Sequence, residues 1–261
     1  MVFPGEFKMA KELTDMTGDE FVKKILDGER DFTGIKLEED FDLRGHEGFN
    51  DLLKYMDGTE RHHELKANPV DLSHSKIYRL KAKGLDIPYL KAEGVALVNV
   101  NFNDVCLWEP NFKGAHFVEV DGSYSRMHSA DFRGAKFYKS GLGSVSLESA
   151  NLKGSDFEDA ELSNVMMGNA FLDGANFCGA KFSYVSLESA SLCSSNFSGA
   201  SFYEVHLDGA NLMKADLRGV DGLSWAHGLR KAHFYKTKVT ESEKEVIEKA
   251  LQNVQRLIVE E

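Results

Sequence analysis

The sequence predicts an all-β solenoid built from a five-residue repeat. From Val70 to Gly219 the 261-residue chain divides into consecutive pentapeptides whose register never slips. The third residue of each pentapeptide is almost always Leu, Phe, Ile or Met, the first is mostly Ala, Val or Ser, and the fifth is often Gly or Ser. Two apolar residues separated by one polar residue share a face of a short strand. The other two residues then turn the chain, and glycine tolerates the positive φ of such a corner.

Several pentapeptides match a known motif at every defined place. The segments ANLKG, ANLMK and ADLRG all fit the pattern Ala-(Asp/Asn)-Leu-x-x. Over residues 70–219 the chain therefore resembles the pentapeptide-repeat family. The resemblance implies a right-handed quadrilateral parallel β-helix, a solenoid with four pentapeptides, or about 20 residues, in each coil.

Third-place residues one coil apart support that architecture, because each interior side chain would pack on its counterpart in the next layer. Two of the resulting columns are Ile77, Leu97, Phe117, Phe137, Phe157, Phe177, Phe197 and Leu217, and Ile87, Leu107, Met127, Leu147, Met167, Leu187 and Leu207. The hexapeptide VSLESA, at 145–150 and at 185–190, lies two coils apart, so Ser146 should point outward as Ser186 does. Large first residues at 80 and 90 should compensate for Ala82 and Ala92. Gly122 leaves one centre for neighbouring side chains or a water to fill.

Both ends of the solenoid need caps, because a coil exposes unpaired strand edges. Thr17 to Glu20 reads as a capping box that opens a helix ended by Gly28, and Thr240 to Glu243 reads as a second one. Leu223, Trp225, Phe234 and Tyr235 are expected to lie over the last open layer. The predicted order is an N-terminal segment and capping helix (1–29), degenerate first repeats (30–45), a projecting excursion (46–64), the β-helix (65–219), a C-terminal cap (220–239) and a C-terminal helix (240–261).

The C-terminal helix carries a long apolar stripe, which either folds back on the cap or pairs with a second copy of the chain. The residues predicted for such a homodimer are Val246, Ile247, Leu251, Val254, Leu257 and Ile258. The family resemblance favours dimerisation, since related proteins dimerise through C-terminal helices.

Composition narrows the class of protein. The sequence contains no stretch long and apolar enough for a membrane span and no signal peptide, and Cys106, Cys178 and Cys193 are an odd number without metal-ligand spacing. These features predict a cytoplasmic location. The net charge of −11 argues against direct nucleic-acid binding, which needs basic patches.

A convex rod is a poor framework for an active site. We expect no catalytic residues, no cofactor and no enzyme activity, because no pocket brings a nucleophile and an oriented base together. The pair His62 and His63, with His46 and His74, is the one candidate metal cluster, although adjacent histidines in a charged loop are usually solvated. Binding of a metal or small ligand at the 46–64 excursion therefore remains an alternative, while the preferred prediction is no metal.

The surface is polarised. Residues 70–100 carry five basic and three acidic side chains, and residues 140–210 carry two basic and nine acidic ones. Met166 and Phe171 occupy second places, where polar residues are the rule. The sequence therefore predicts a scaffold that presents a surface to a protein partner. The residues predicted for this surface are Met166, Phe171, Glu148, Asp156, Glu158, Asp159, Glu161 and Glu188.

The excess of acidic side chains at 140–210 has two further interpretations. Ordinary solubility is one. The family resemblance implies the other, an acidic DNA mimic that binds or protects a type II topoisomerase, DNA gyrase, as its quinolone-resistance members are thought to do. In this chain the repeat is unbroken from 70 to 219, unlike members whose loops interrupt it.

Overall fold

The computed structural model describes residues 12–56 and 59–259, apart from the side chains at 59–62 and 253–259. The N-terminal block contains β1 (Thr14–Met16), α1 (Gly18–Leu26), β2 (Ile35–Leu37), α2 (Phe49–Met56) and α3 (Thr59–Ala67). The rod contains β3 (Lys76–Tyr78), β4 (Ala96–Val98), β5 (His116–Val118), β6 (Lys136–Tyr138), β7 (Gly141–Gly143), β8 (Glu161–Ser163), β9 (Lys181–Ser186) and β10 (Ser201–His206). Two short 3-10 helices (Leu223–Trp225 and Leu229–Lys231) and helix α4 (Glu241–Val259) follow.

The paired strands are parallel and lie one coil apart. Within the described residues, β1 to β6 form one sheet in sequence order and β7 to β10 form a second. Leu97 pairs with Ile77 of the preceding coil and with Phe117 of the following one, so each coil spans 20 residues. The other sides of the coil carry single bridges with the same spacing, such as Asn151 with Phe171. The predicted right-handed quadrilateral parallel β-helix is confirmed.

Every corner of the rod is formed by a residue in the left-handed region. From His74 to Gly219 each fifth-place residue has a positive φ, between 47° at Glu109 and 73° at Gly84. Hydrogen bonds between coils hold these corners; the N–H of Tyr124, for example, donates to the carbonyl of Gly143 at 2.8 Å. The coil therefore imposes this conformation on glycine and non-glycine residues alike.

The column of phenylalanines predicted from the third places forms the centre of the rod. Neighbouring rings stack with centroids 4.3–5.0 Å apart in the series Phe117, Phe137, Phe157, Phe177 and Phe197. Strands in a sheet lie about 4.8 Å apart, so the coil spacing brings the rings into this face-to-face arrangement. All five side chains are buried.

Within the described residues, the interior of the rod contains two small cavities. A cavity of about 20 Å³ lies beside Gly122 and Leu142, and another of about 30 Å³ lies beside Leu90 and Ala92. Both linings are apolar, and the hydroxyl of Ser140 at the first cavity already donates to a backbone carbonyl at 3.2 Å. A water molecule would find no free polar partner there. The expected compensation around Ala92 is therefore partial, and neighbouring side chains do not fill the Gly122 layer.

The N-terminal cap begins with the predicted capping box. The N–H of Glu20 donates to Thr17 Oγ1 at 3.2 Å, and the N–H of Thr17 donates to Glu20 Oε2 at 3.2 Å. Strand β1, which the sequence patterns did not predict, pairs in parallel with β2. The sheet therefore starts before the first degenerate repeat.

The excursion predicted over 46–64 is folded against the cap rather than projecting from it. Helix α2 buries Phe49, Leu52 and Met56 and packs on α1. Helix α3 continues to Ala67, and Leu65 is fully buried. The segment at 65–69 was predicted as a repeat but is largely helical, because Leu65 joins the helical core; the regular coils begin at 70.

The C-terminal cap buries only part of the predicted set. Leu223 is buried and Phe234 is partly buried, whereas Trp225 and Tyr235 are 61% and 59% exposed. A 3-10 helix has three residues per turn, so residues two positions apart point to different sides. Trp225 consequently faces outward while Leu223 faces the last coil.

Candidate interaction surface

The acidic residues predicted for a partner surface lie on the outside of the rod. Glu158 and Asp159 are exposed at one corner. Asp156 is partly buried and accepts a hydrogen bond from the amide of Asn176 at 2.9 Å. Glu161 is exposed, and its Oε1 lies 2.8 Å from the Nζ of Lys181. The acidic density is therefore partly offset by a lysine on the next coil.

Glu148 and Glu188 stand two coils apart on one side of the rod, each near a histidine. His128 Nε2 lies 3.5 Å from Glu148 Oε2, and His206 Nδ1 lies 3.9 Å from Glu188 Oε1. Ser146 was expected to point to solvent but is only 2% exposed, and its hydroxyl is 3.0 Å from His128 Nε2. The histidine of the preceding coil covers Ser146, a contact that the repeat pattern does not contain.

Met166 and Phe171 are both nearly half exposed. They hold second places in consecutive pentapeptides, so they lie on adjacent sides of the rod. The Nζ of Lys153 is 5.5 Å from the ring centre of Phe171 and 3.0 Å from Asp173 Oδ2. The two apolar residues are therefore separate exposures rather than one flat patch.

A larger apolar feature lies near the C-terminal end of the rod. Tyr184, Tyr203 and Trp225, hereafter the aromatic ridge, are 53%, 47% and 61% exposed. The ring centroids of Tyr184 and Tyr203 are 5.2 Å apart at 90°, and those of Tyr203 and Trp225 are 6.4 Å apart. Tyr184 and Tyr203 hold fifth and fourth places of their pentapeptides, which point outward, but the repeat pattern does not predict the ridge because Trp225 lies outside the repeat. The available signal was the spacing of the tyrosines, about one coil apart.

Polar groups adjoin the aromatic ridge. A hydrogen bond with Tyr203 raises the pKa of Tyr184 above its ordinary value, and the charge of Glu204 adds a smaller contribution in the same direction. Glu204 Oε2 also lies 2.7 Å from His227 Nε2. The ridge thus combines exposed aromatic rings with the neighbouring side chain of Glu204.

The histidines of the predicted metal cluster are placed differently from one another. The side chain of His62 lies outside the described residues, and His63 is exposed on α3. His46 Nε2 is 3.1 Å from Asp19 Oδ1, and His74 forms a corner of the rod with φ 61°. Among the described side chains, no close group of three potential metal ligands includes His46, His63 or His74.

The three cysteines lie on the outside of the rod. Cys106, Cys178 and Cys193 are free thiols, each partly exposed. None of the helices in the described ranges is both long enough and apolar enough to cross a membrane.

Helix α4 uses the first part of its apolar stripe within the chain. Ile247 is 7% exposed and Val246 is partly buried, and the helix contacts both 3-10 helices of the cap. Leu251 is 41% exposed. Of the predicted dimer residues, Val254, Leu257 and Ile258 have side chains outside the described residues. The start of the stripe therefore folds back on the cap, and Val246 and Ile247 are occupied there.

Solved structures with some overall similarity include HetL, a pentapeptide repeat protein involved in heterocyst differentiation regulation from the cyanobacterium Nostoc sp.; it is 22% identical with a TM-score of 0.41, over 85% of this chain and 94% of that one. QnrB1, a plasmid-mediated fluoroquinolone resistance protein, is 16% identical with a TM-score of 0.37, over 69% of this chain and 89% of that one. A pentapeptide repeat protein from the Arabidopsis thaliana thylakoid lumen is 28% identical with a TM-score of 0.27, over 42% and 63% of the two chains. No curated protein matches the sequence.

The repeat itself is matched by a family model described as pentapeptide repeats. The match comprises eight copies over residues 101–137, 142–179 and 180–219. These segments are coils of the rod, where the third-place side chains form the buried columns. The coils of the rod between residues 101 and 219 are therefore pentapeptide repeats.

Proposed function

We propose that this protein is a non-enzymatic scaffold whose C-terminal half binds a protein partner. The aromatic ridge is the observation that carries the proposal. Strands β9 and β10, which hold the two tyrosines, pair in parallel from Lys181 to Ser186. Because this backbone is already ordered, presenting the rings to a partner costs little entropy. Tyr and Trp are also enriched among the residues that contribute most to protein interfaces.

The negative charge of residues 140–210 indicates which kind of partner surface can bind. Residues 140–210 carry nine acidic side chains and two lysines, and Glu204 adjoins the ridge. Aromatic faces and carboxylates both attract the cationic side chains of lysine and arginine. We therefore expect the partner to present a basic patch, with an association that weakens as salt screens the charges.

Replacing Tyr203 and Trp225 together with Ala tests this surface. Truncation of central aromatic residues costs about 2 kcal/mol or more, so affinity should fall roughly thirtyfold. Tyr138→Ala is the matched control, because Tyr138 is 43% exposed on another side of the rod. Proteins captured from the native cell with the unmodified chain are purified, and their affinities for the three forms are measured by surface plasmon resonance. Equal affinities for the unmodified chain and the ridge variant would contradict the proposal.

The acidic residues favour a second candidate, a DNA mimic that binds a type II topoisomerase such as DNA gyrase. Glu158 and Asp159 are exposed at one corner, and Glu148 and Glu188 line another side two coils apart. Carboxylates along a slim rod could occupy a basic groove that normally holds DNA phosphates.

A gyrase supercoiling assay, with and without a quinolone, tests the mimic. The protein should inhibit the enzyme or protect it from the drug, and Glu158→Lys with Asp159→Lys should weaken that effect. Glu245→Lys with Glu248→Lys makes the same charge change on exposed positions of α4 and should leave it intact. No effect of the unmodified protein at micromolar concentration would remove this candidate.

A further inference from the structure

We propose a site for a divalent transition-metal ion at the C-terminal end of the rod, formed by Glu188, His206 and Asp208. One potential ligand atom from each of these side chains lies within 4.8 Å of the other two. The site is independent of the partner-binding function proposed above, because none of its residues belongs to the aromatic ridge. It also differs from the histidine cluster predicted near 46–64.

The backbone of neighbouring layers positions the three side chains. His206 is the last residue of β10, where it pairs with Ser186 of the preceding coil and bridges to His227 of the cap. The carbonyl of Asp208 accepts a hydrogen bond from the N–H of Ser189 at 2.8 Å. Because bonds to the adjacent layers fix the backbone at these positions, the three side chains need little rearrangement to bring their ligand atoms together.

A second histidine restrains the ring of the first. The ring of His227 stacks on that of His206, with centroids 4.7 Å apart and planes at 26°. Glu204 in turn fixes His227, with 2.7 Å between Oε2 and Nε2. Neighbouring groups that contact a metal-binding side chain commonly fix its orientation and strengthen metal binding.

The donor set selects the class of ion. One imidazole nitrogen and two carboxylates suit Zn²⁺ and similar transition metals, whereas Mg²⁺ and Ca²⁺ prefer oxygen donors throughout. Tetrahedral Zn²⁺ with bonds of about 2.1 Å needs donors roughly 3.4 Å apart, so rotation of the exposed Glu188 side chain closes the remaining gap. Asp208 and His227 also line a groove of about 700 Å³ between the cap and α4. The groove leaves room for water as a further ligand.

A cation of the protein itself already occupies part of this site. The Nζ of Lys231 lies 3.0 Å from Asp208 Oδ1. This ammonium group competes with a metal ion for the carboxylate of Asp208. Removing Lys231 should therefore strengthen metal binding, which is the opposite of what loss of a ligand does.

Calorimetric titration of the full chain with Zn²⁺ tests the site. We expect binding that His206→Ala and Asp208→Asn each weaken about tenfold or more, and that Lys231→Met strengthens. His128→Ala is the matched control: it removes a histidine 3.5 Å from Glu148 on the same side of the rod, and it should leave the affinity unchanged. Circular dichroism establishes that each variant is folded, and Co²⁺ absorption in the visible range reports on the coordination geometry.

Three results would overturn the site. The first is equal Zn²⁺ affinity in the unmodified chain and His206→Ala. The second is no binding by the folded chain at about 1 mM Zn²⁺, a concentration that occupies even protein sites as weak as those of extracellular Ca²⁺ modules. The third is loss of binding on replacing His62 and His63 with Ala while His206→Ala binds normally, which would move the ion to the 46–64 segment.

Discussion

At the scale of single residues, the corners of the rod hold non-glycine side chains in a conformation that most L-residues avoid. Tyr124 has φ 60° and is 71% exposed, so its ring gains little from packing. The left-handed region costs a non-glycine residue roughly 1–2 kcal/mol. Hydrogen bonds and packing between coils must offset that cost at each such corner.

Substitutions at Tyr124 should separate the backbone cost from that of the side chain. Tyr124→Ala removes the ring and keeps the strain, whereas Tyr124→Gly removes both. We expect the Gly variant to be more stable than the Ala variant by about 1 kcal/mol in urea unfolding, the reverse of the usual order of these residues. A more stable Ala variant would show that the corner is unstrained.

Gly122 offers a gain in packing. A Cβ added there would meet Leu142 Cδ2 at 3.5 Å, an ordinary contact, beside the cavity of about 20 Å³. Gly122→Ala should stabilise the fold by about 1 kcal/mol, through burial of a methyl group and lower entropy of the unfolded chain. Gly168→Ala should show only the stabilisation from lower entropy of the unfolded chain, because Gly168 lies outside the core. The difference between the melting curves of the two variants therefore measures the gain from packing. Equal shifts would mean that the cavity does not accept the methyl group.

At the scale of elements, helix α4 is attached to the rod by its first turn. The carboxylate of Glu243 is buried and accepts the N–H of Thr240 at 2.6 Å. Burial raises the pKa of Glu243, but hydrogen bonds from Thr240 and from the backbone of Gly219 outweigh it, so the pKa lies below its ordinary value of 4.5. A carboxyl group with a lowered pKa stabilises the fold only while it is ionised.

The cap of α4 should therefore respond to acid. Its contribution should be complete above pH 4.5 and should disappear as the pH falls through the lowered pKa of the folded state. Protection factors of the α4 amides, which are exchange rates corrected for the intrinsic effect of pH, should fall from pH 6 to pH 3. Glu243→Gln should have lower protection factors already at neutral pH and a weaker dependence of protection on pH, with a loss of about 1 kcal/mol. Glu245→Gln, exposed on the same helix, serves as the control; identical behaviour of the two variants would contradict the role of Glu243.

The outward part of the α4 stripe carries the proposal of a homodimer. Leu251 is exposed, whereas Ile247 is buried against the cap. If a second copy covers the stripe, Leu251→Asp should convert a dimer into a monomer in sedimentation analysis, because burying a charge in an apolar interface is costly. Ile247→Ala should mainly destabilise the cap, by about 2–5 kcal/mol. A monomeric unmodified chain at high protein concentration would rule out the homodimer.

At the scale of the whole molecule, each coil contacts only the coils next to it. The free energy of local opening can therefore differ from one part of the rod to another. The coils of 140–210 contain the stacked rings of Phe157, Phe177 and Phe197. The coils of 70–100 have smaller side chains and the cavity of about 30 Å³ beside Ala92. The two halves therefore differ in packing as well as in charge.

Hydrogen exchange should show this difference directly. Peptides from 140–210 should exchange more slowly than peptides from 70–100, because larger stacks and fuller packing raise the free energy of local opening. Mass spectrometry of deuterium uptake at neutral pH measures it. Equal protection of the two halves would show that the rod opens as one cooperative unit.

The sequence by itself determined the coil, its columns and the first turns of both capping helices. These features depend on contacts at fixed spacing, such as the stack of Phe137 on Phe157 or the reciprocal bonds of Thr17 and Glu20. A periodic or local pattern records such contacts directly. The same logic failed at residues 65–69, where Leu65 serves the helical core instead of a coil.

Only the tertiary structure decided the surface. The aromatic ridge joins two tyrosines of successive coils to Trp225 of the cap, and the group of Glu188, His206 and Asp208 likewise spans two layers. Ser146 is buried because a histidine of the preceding coil covers it. Outward-facing places accept many residue types, so no pattern along the chain marks which of them meet. Their meeting depends on how layers and cap stack in three dimensions.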